Sequence, residues 1–162
     1  MAVDMFIKID TIDGESLDDT HAKEIDVLSW SWGATQSGTT HMGGGSGSGK
    51  VSVGDLSFTK YIDLASHGLL RACCSGDHIK EATLVVRKSA GKKPLEYIKL
   101  KLSDVIVSHI ATGGSGGEDR LTENITLNFG KFVFSYVPQK ADGSGDSVKE
   151  AGWMIPQNKT AV

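Results

Sequence analysis

Residues 121–137 read LTENITLNFGKFVFSYV, and the alternation in this stretch decides the fold. Up to Gly130 the apolar side chains are Leu121, Ile125, Leu127 and Phe129; beyond it they are Phe132, Phe134 and Tyr136. A repeat of two is the signature of a strand with one buried face. The parity changes at a glycine, as expected where a β-bulge lets one strand serve two faces. Strands that bend and change face build barrels or tightly joined sandwiches. The expected fold class is therefore mainly β, a compact β-barrel or two-sheet sandwich.

The rest of the chain keeps the same rhythm. Met5, Ile7 and Ile9 open a first strand, and Asp13-Gly14 breaks it. Residues 24–36 predict a second strand, with Leu28, Trp30 and Trp32 on one face and Val27, Ser29, Ser31 and Gly33 on the other. Val51, Val53, Leu56 and Phe58 resume strand character, as do residues 82–88, 95–102 and 105–110 and a short last strand around 152–155. Ser103-Asp104 predicts a bend or bulge. One segment has helical spacing: Ile62, Leu64, Ala65, Leu69, Ala72 and Cys73, with Asp63 or Asp55 placed to cap its approach and Gly76 where a helix stops. One domain spans 1–162, long enough to bury a substantial core.

Composition narrows the function classes. Glycine numbers 20 and proline only 3, which indicates loops needing backbone freedom rather than a disordered tract. A net charge of −3 is not the footprint of a nucleic-acid binder. Arg87, Lys88, Lys92 and Lys93 flank a turn and read as a solvated hairpin end. No apolar run reaches the ~18 residues of a membrane helix, so no membrane insertion is expected. The N-terminus does not read as a secretory signal. Cys73 and Cys74 are adjacent, a poor fit to disulfide geometry, so both are expected as reduced thiols in a chain folded in the cytoplasm.

Two glycine-rich segments imitate catalytic motifs, and both fail on their downstream neighbours. Residues 44–50 match GxxxxGK, but Val51 stands where a phosphate loop needs Ser or Thr, and a strand pattern comes next where a helix is required. Residues 113–117 match GxSxG, but another strand pattern comes after them, and all five histidines (His21, His41, His67, His78 and His109) precede Ser115. The histidines and cysteines lack metal-ligand spacing. Each histidine reads as a surface or loop residue, and the cysteines as small buried hydrophobes. Neither catalytic, cofactor nor metal residues are expected.

Several segments taken together and in order carry a family resemblance. They are MFIKID (5–10), GES (14–16), His21, EIDVLSWSWG (24–33), HMGGGSGSGKVSV (41–53), DLSFTKYID (55–63), TGGSGGEDRLTENITLNF (112–129), YVPQKADGS (136–144) and Gly152-Trp153. From residue 5 to about 158 the chain resembles the Hcp family, the tube-forming proteins of bacterial type VI secretion systems. The resemblance implies a β-barrel of two sheets with one flanking helix, similar to phage tail-tube proteins. It implies self-association into a six-membered ring and stacked tubes, with a contractile sheath, a VgrG-type spike and small effector proteins as partners. It also implies assembly in the bacterial cytoplasm and export, outside the cell or into a target cell, by a route that reads no N-terminal signal. A phage-type tail-tube protein and a monomeric β-sandwich binding module are the alternative readings.

Residues and resemblance together give the site expectations. Ser29 and Ser31, opposite the tryptophans, are the candidate lumen or cargo face, with contact to a neighbouring copy as the alternative fate of that face. The long loop 37–50, with Gln36, His41, Met42, Gly43, Gly44, Gly45 and Lys50 as its candidate contacts, is the expected inter-subunit arm. Glu118, Asp119 and Arg120, clustered with Glu123 near a turn, are candidate interface charges.

Overall fold

A computed structural model describes residues 2–38, 41, 49–90 and 92–162. In chain order the elements are β1 (Val3–Ile9), β2 (Ile25–Asp26), β3 (Ser29–Ser31), β4 (Ala34–Thr35), β5 (Ser52–Val53), β6 (Leu56–Tyr61), α1 (Ser66–Ser75), β7 (Ile79–Lys88), β8 (Leu95–Thr112), β9 (Thr122–Tyr136), β10 (Lys149–Met154) and β11 (Lys159–Thr160). Both motif-like glycine segments lead into strands, β5 and β9, where phosphate-loop and elbow chemistry need helices.

Among the described residues one antiparallel sheet of nine strands runs β11-β10-β9-β8-β7-β1-β2, and β4–β5 form a separate ribbon. β9 is the branch point. Along one edge it pairs with β8; along the other, its first half pairs with β6 and its second half with β10. β3 joins through β6. The sheet wraps on itself without closing ladder to ladder. Residues 25–31 span the seam instead. Ile25 pairs with Ile7 of β1, the Val27 amide donates to the Met5 carbonyl (2.9 Å), the Leu28 amide donates to the Thr59 carbonyl (2.8 Å), and Ser29–Ser31 pair with β6.

The change of face in β9 is real, but it is not a bulge. Pairing with β8 keeps one register across it, Leu102↔Phe132, Ser103↔Lys131 and Val105↔Phe129. Asp104 and Gly130 lie opposite each other, and Asp104 adopts a left-handed φ of 55°. A side chain added at Gly130 would make ordinary contact with Asp104, 3.4 Å from its Cβ. β8 changes parity at the same place, from buried Leu100 and Leu102 to buried Val105 and Val107. The two strands therefore bend together. Register shifts occur elsewhere, between Val107 and His109 and between Val86 and Arg87.

The segment 24–36 is not one strand either. Ile25 and Val27 enter the core, Leu28 turns out, and Trp30 and Trp32 pack inward again. The seam causes this: the chain leaves β1 for β6 between Val27 and Ser29, which resets its parity.

The core joins Ile7, Ile9, Leu56, Phe58, Leu84, Leu100, Leu102, Ile125 and Leu127, and α1 covers it with Leu69 and Ala72. The helix starts later than its apolar spacing predicts, leaving Ile62 and Leu64 exposed. Asp63 Oδ1 accepts from the Ala65 amide (2.9 Å) at its approach, while Asp55 is engaged elsewhere. Gly76 ends the helix at φ 68°, donating its amide to Ala72. Cys73 packs against the core; Cys74 is exposed, and both are free thiols. No helix among the described residues is long and apolar enough to cross a membrane.

Candidate functional site

Four strands present one small, polar outer surface. Cross-strand pairing aligns Ser31, Ser57, Thr126 and His109 in one row and Ser29, Thr59, Asn124 and Ala111 in the next. The positions are outward because their neighbours Trp30, Phe58, Ile125 and Leu127 face in. Thr59 Oγ1 donates to Asn124 Oδ1 at 2.7 Å, and the Ser57 and Thr126 hydroxyls lie 3.2 Å apart. At the border Asp55 accepts from Ser108 Oγ (2.9 Å) and Asn128 Nδ2 (2.8 Å). The rows line a shallow hollow of about 460 Å³. Neither row contains Lys, Arg, Asp or Glu; His109 is their one ionisable member. Ser29 and Ser31 are both exposed there, opposite inward tryptophans, as the sequence predicts.

Directly beneath lies a buried charge network that alternation alone does not reveal. Lys60 pairs in register with Glu123, and both are fully buried. Lys60 Nζ donates to Glu123 Oε1 (2.5 Å) and Ser66 Oγ (3.3 Å) and lies 2.8 Å from Asp63 Oδ1. Ser66 Oγ donates to Glu123 Oε1 at 2.6 Å. The network ties the start of α1 to β6 and β9 under the strip. Its legible signal is a lysine two residues after Phe58, on the inward parity of β6. Of the other turn charges, Arg120 lies over the Tyr61 ring (3.8 Å), and Glu118 and Asp119 are exposed.

On the far side of the sheet, residues 10–24 fold over β1 and β7. They bury Phe6 and Val85, which point away from the main core. His21 is buried here, contrary to its reading as a surface residue. Its ring stacks on Phe6 (4.5 Å between centroids), with Nδ1 2.8 Å from Glu24 and Nε2 2.7 Å from Glu96. Arg87 is not a solvated hairpin end either: it pairs with Asp18 and with Asp4 (3.2 Å). The Arg87 guanidinium holds the Asp18 carboxyl well below the usual carboxylate range, and Asp18 in turn raises Arg87. At the seam, desolvation raises Asp26, opposed by its hydrogen bond with Ser16 and reinforced by the Asp63 charge.

Of the expected arm, Gln36, His41 and Lys50 are exposed; Met42, Gly43, Gly44 and Gly45 lie outside the described residues. Gln36 helps line an apolar groove of about 310 Å³ between the ribbon and β10. Among the described residues no His, Cys, Asp and Glu group has the arrangement of a metal site.

Comparison with known proteins gives a consistent answer. The family described as "Type VI secretion system effector, Hcp" matches residues 6–136. Protein hcp1 of Pseudomonas aeruginosa is 59% identical over 162 residues, covering 99% of this chain and 100% of that protein. A solved type six secretion system protein superposes with a TM-score of 0.91 at 35% identity, covering 98% of this chain and 99% of the other. Hcp1 of Salmonella typhimurium superposes at 0.81 with 44% identity, covering 99% of both chains. Family match and fold thus place the chain among the mainly β proteins of type VI secretion systems. It belongs to the Hcp family.

Proposed function

We propose that this chain is the subunit of a type VI secretion inner tube. Six copies close into a ring, and rings stack into a hollow tube surrounded by a contractile sheath and tipped by a VgrG-type spike. The tube is assembled in the bacterial cytoplasm and expelled on firing. Its work is assembly and carriage rather than catalysis.

The observation that carries this reading is the neutral hydroxyl strip. A lumen wall has to admit a small effector and release it. Small side chains leave room, and the absence of fixed charge across both rows avoids strong electrostatic capture. Sixfold repetition would join the strips of Ser29 and Ser31 into a belt. Ring closure needs two different surfaces that meet head to tail. The loop bearing Gln36, His41 and Lys50, and the turn with Glu118, Asp119 and Arg120, are the proposed contact segments. Replacing Ser31 with tyrosine is expected to leave rings intact while effector proteins no longer co-purify. Undiminished co-purification with that bulky side chain would count against the strip as the lumen wall.

A further inference from the structure

The polar strip owes its single ionisable residue to an irregularity of β8. Val105 and Val107 are buried, so unbroken alternation would turn His109 inward. The register shift between Val107 and His109 sets Ser108 in as an extra residue: Val107 pairs with Leu127, and His109 with its neighbour Thr126. His109 is thereby turned out and exposed, and Ile110 packs against the core instead. An extra residue of this kind re-aims the side chain beside it.

The groups around His109 are neutral. Thr126, Ser57 and Ser31 share its row. In the next row Asn124 Oδ1 is taken by Thr59 Oγ1, so Asn124 offers its amide hydrogens to the hollow. Two carboxylates border the strip. Asp55, two residues before Ser57, already accepts one hydrogen bond on each oxygen, from Ser108 Oγ and Asn128 Nδ2. Glu118 lies beyond Ala111 and Asn124, in an adjoining hollow of about 340 Å³ that those two residues also line. Beneath the sheet, Lys60 and Glu123 neutralise each other.

A hollow of hydroxyl and amide donors without an acid in its rows suits a carboxylate, and His109 decides how strongly one is held. Histidine is the side chain whose charge changes between about pH 5 and 8. Protonated, its ring adds two N–H donors and a positive charge to the Asn124 amide and the hydroxyls; neutral, it adds one donor and no charge. We infer that the strip is a switchable carboxylate site, in which protonated His109 holds acidic side chains of the cargo and lets them go on losing its proton. This rests on the lumen reading and adds to it the chemistry of the cargo, an acidic segment. Ring closure would repeat the site around the lumen, so one segment could engage several copies at once.

The test titrates rhodamine-labelled hexaglutamate with the purified full chain and follows fluorescence anisotropy, with hexaglutamine as the uncharged control. Hexaglutamate is expected to bind at least about threefold more tightly at about pH 5.5 than at about pH 7.5, and hexaglutamine equally at both. His109→Gln should remove the difference although His21, His41, His67 and His78 remain. His109→Lys, a fixed cation, should hold hexaglutamate at both pH values. Equal binding by the wild type at both, or a difference that survives His109→Gln, overturns the site. Native mass spectrometry of the same samples separates the two ways of failing. A monomer with His109-dependent binding overturns the tube reading and leaves the site standing. Intact rings without such binding overturn the site alone.

Discussion

Lys60 is the residue on which the polar strip rests. It is a buried cation shared by Glu123, Asp63 and Ser66, and its removal strands carboxylates in the core. Lys60→Met is expected to cost about 3–5 kcal/mol, read as a lower urea midpoint. Adding Glu123→Leu should recover much of that loss, since well-packed apolar pairs often replace buried ion pairs at little cost. Arg87 plays a different part, holding Asp18 of the 10–24 segment. Asp18 has its pKa depressed below the ordinary 3.8 by the Arg87 hydrogen bond. A depressed carboxylate contributes stability that is complete above its unfolded pKa and is lost as pH falls through the folded one. Arg87→Met should therefore destabilise by about 1–2 kcal/mol at neutral pH. The gap from wild type should narrow only below about pH 4, checked by urea titrations across pH. Both networks are hidden in the linear sequence for one reason. Parity marks Lys60 as inward and nothing marks Arg87, but for both only strand pairing and the 10–24 excursion bring their partners from 63 and 69 residues away.

At the scale of elements, periodicity makes the strands legible and pairing explains their irregularities. The inward and outward positions of β6 and the first half of β9 obey the alternation read from residues 56–61 and 121–129. The face change at Gly130 is visible in the sequence as well, but its cause is not. A slip in one strand and a joint bend of two strands leave the same mark on a single sequence. Only the partner Asp104, with its left-handed backbone opposite Gly130, distinguishes them. The seam at residues 25–31 is illegible for a similar reason, since its parity is set by a change of neighbour. Ser29 and Ser31 are nonetheless legible, because the tryptophans beside them fix which way they point. The glycine-rich loop is the proposed contact with another copy. Deleting residues 43–49 should leave the thermal unfolding of the subunit unchanged and abolish stacked tubes in electron micrographs. Tubes of normal length from the deleted chain would rule out that role for the loop.

At the scale of the whole molecule, the features that look wasteful in one copy make sense in several. Exposed Leu17, the apolar groove beside β10 and the charge-free hydroxyl strip all lie at the surface of the described residues. In the proposed head-to-tail ring the strip turns toward a shared interior. Self-assembly is therefore the central claim, and the mass of the purified particle tests it most directly. Native mass spectrometry at micromolar concentration should give six times the 17.2 kDa chain, and the same sample should show annuli by negative-stain microscopy. A monodisperse 17.2 kDa species at those concentrations would contradict self-assembly.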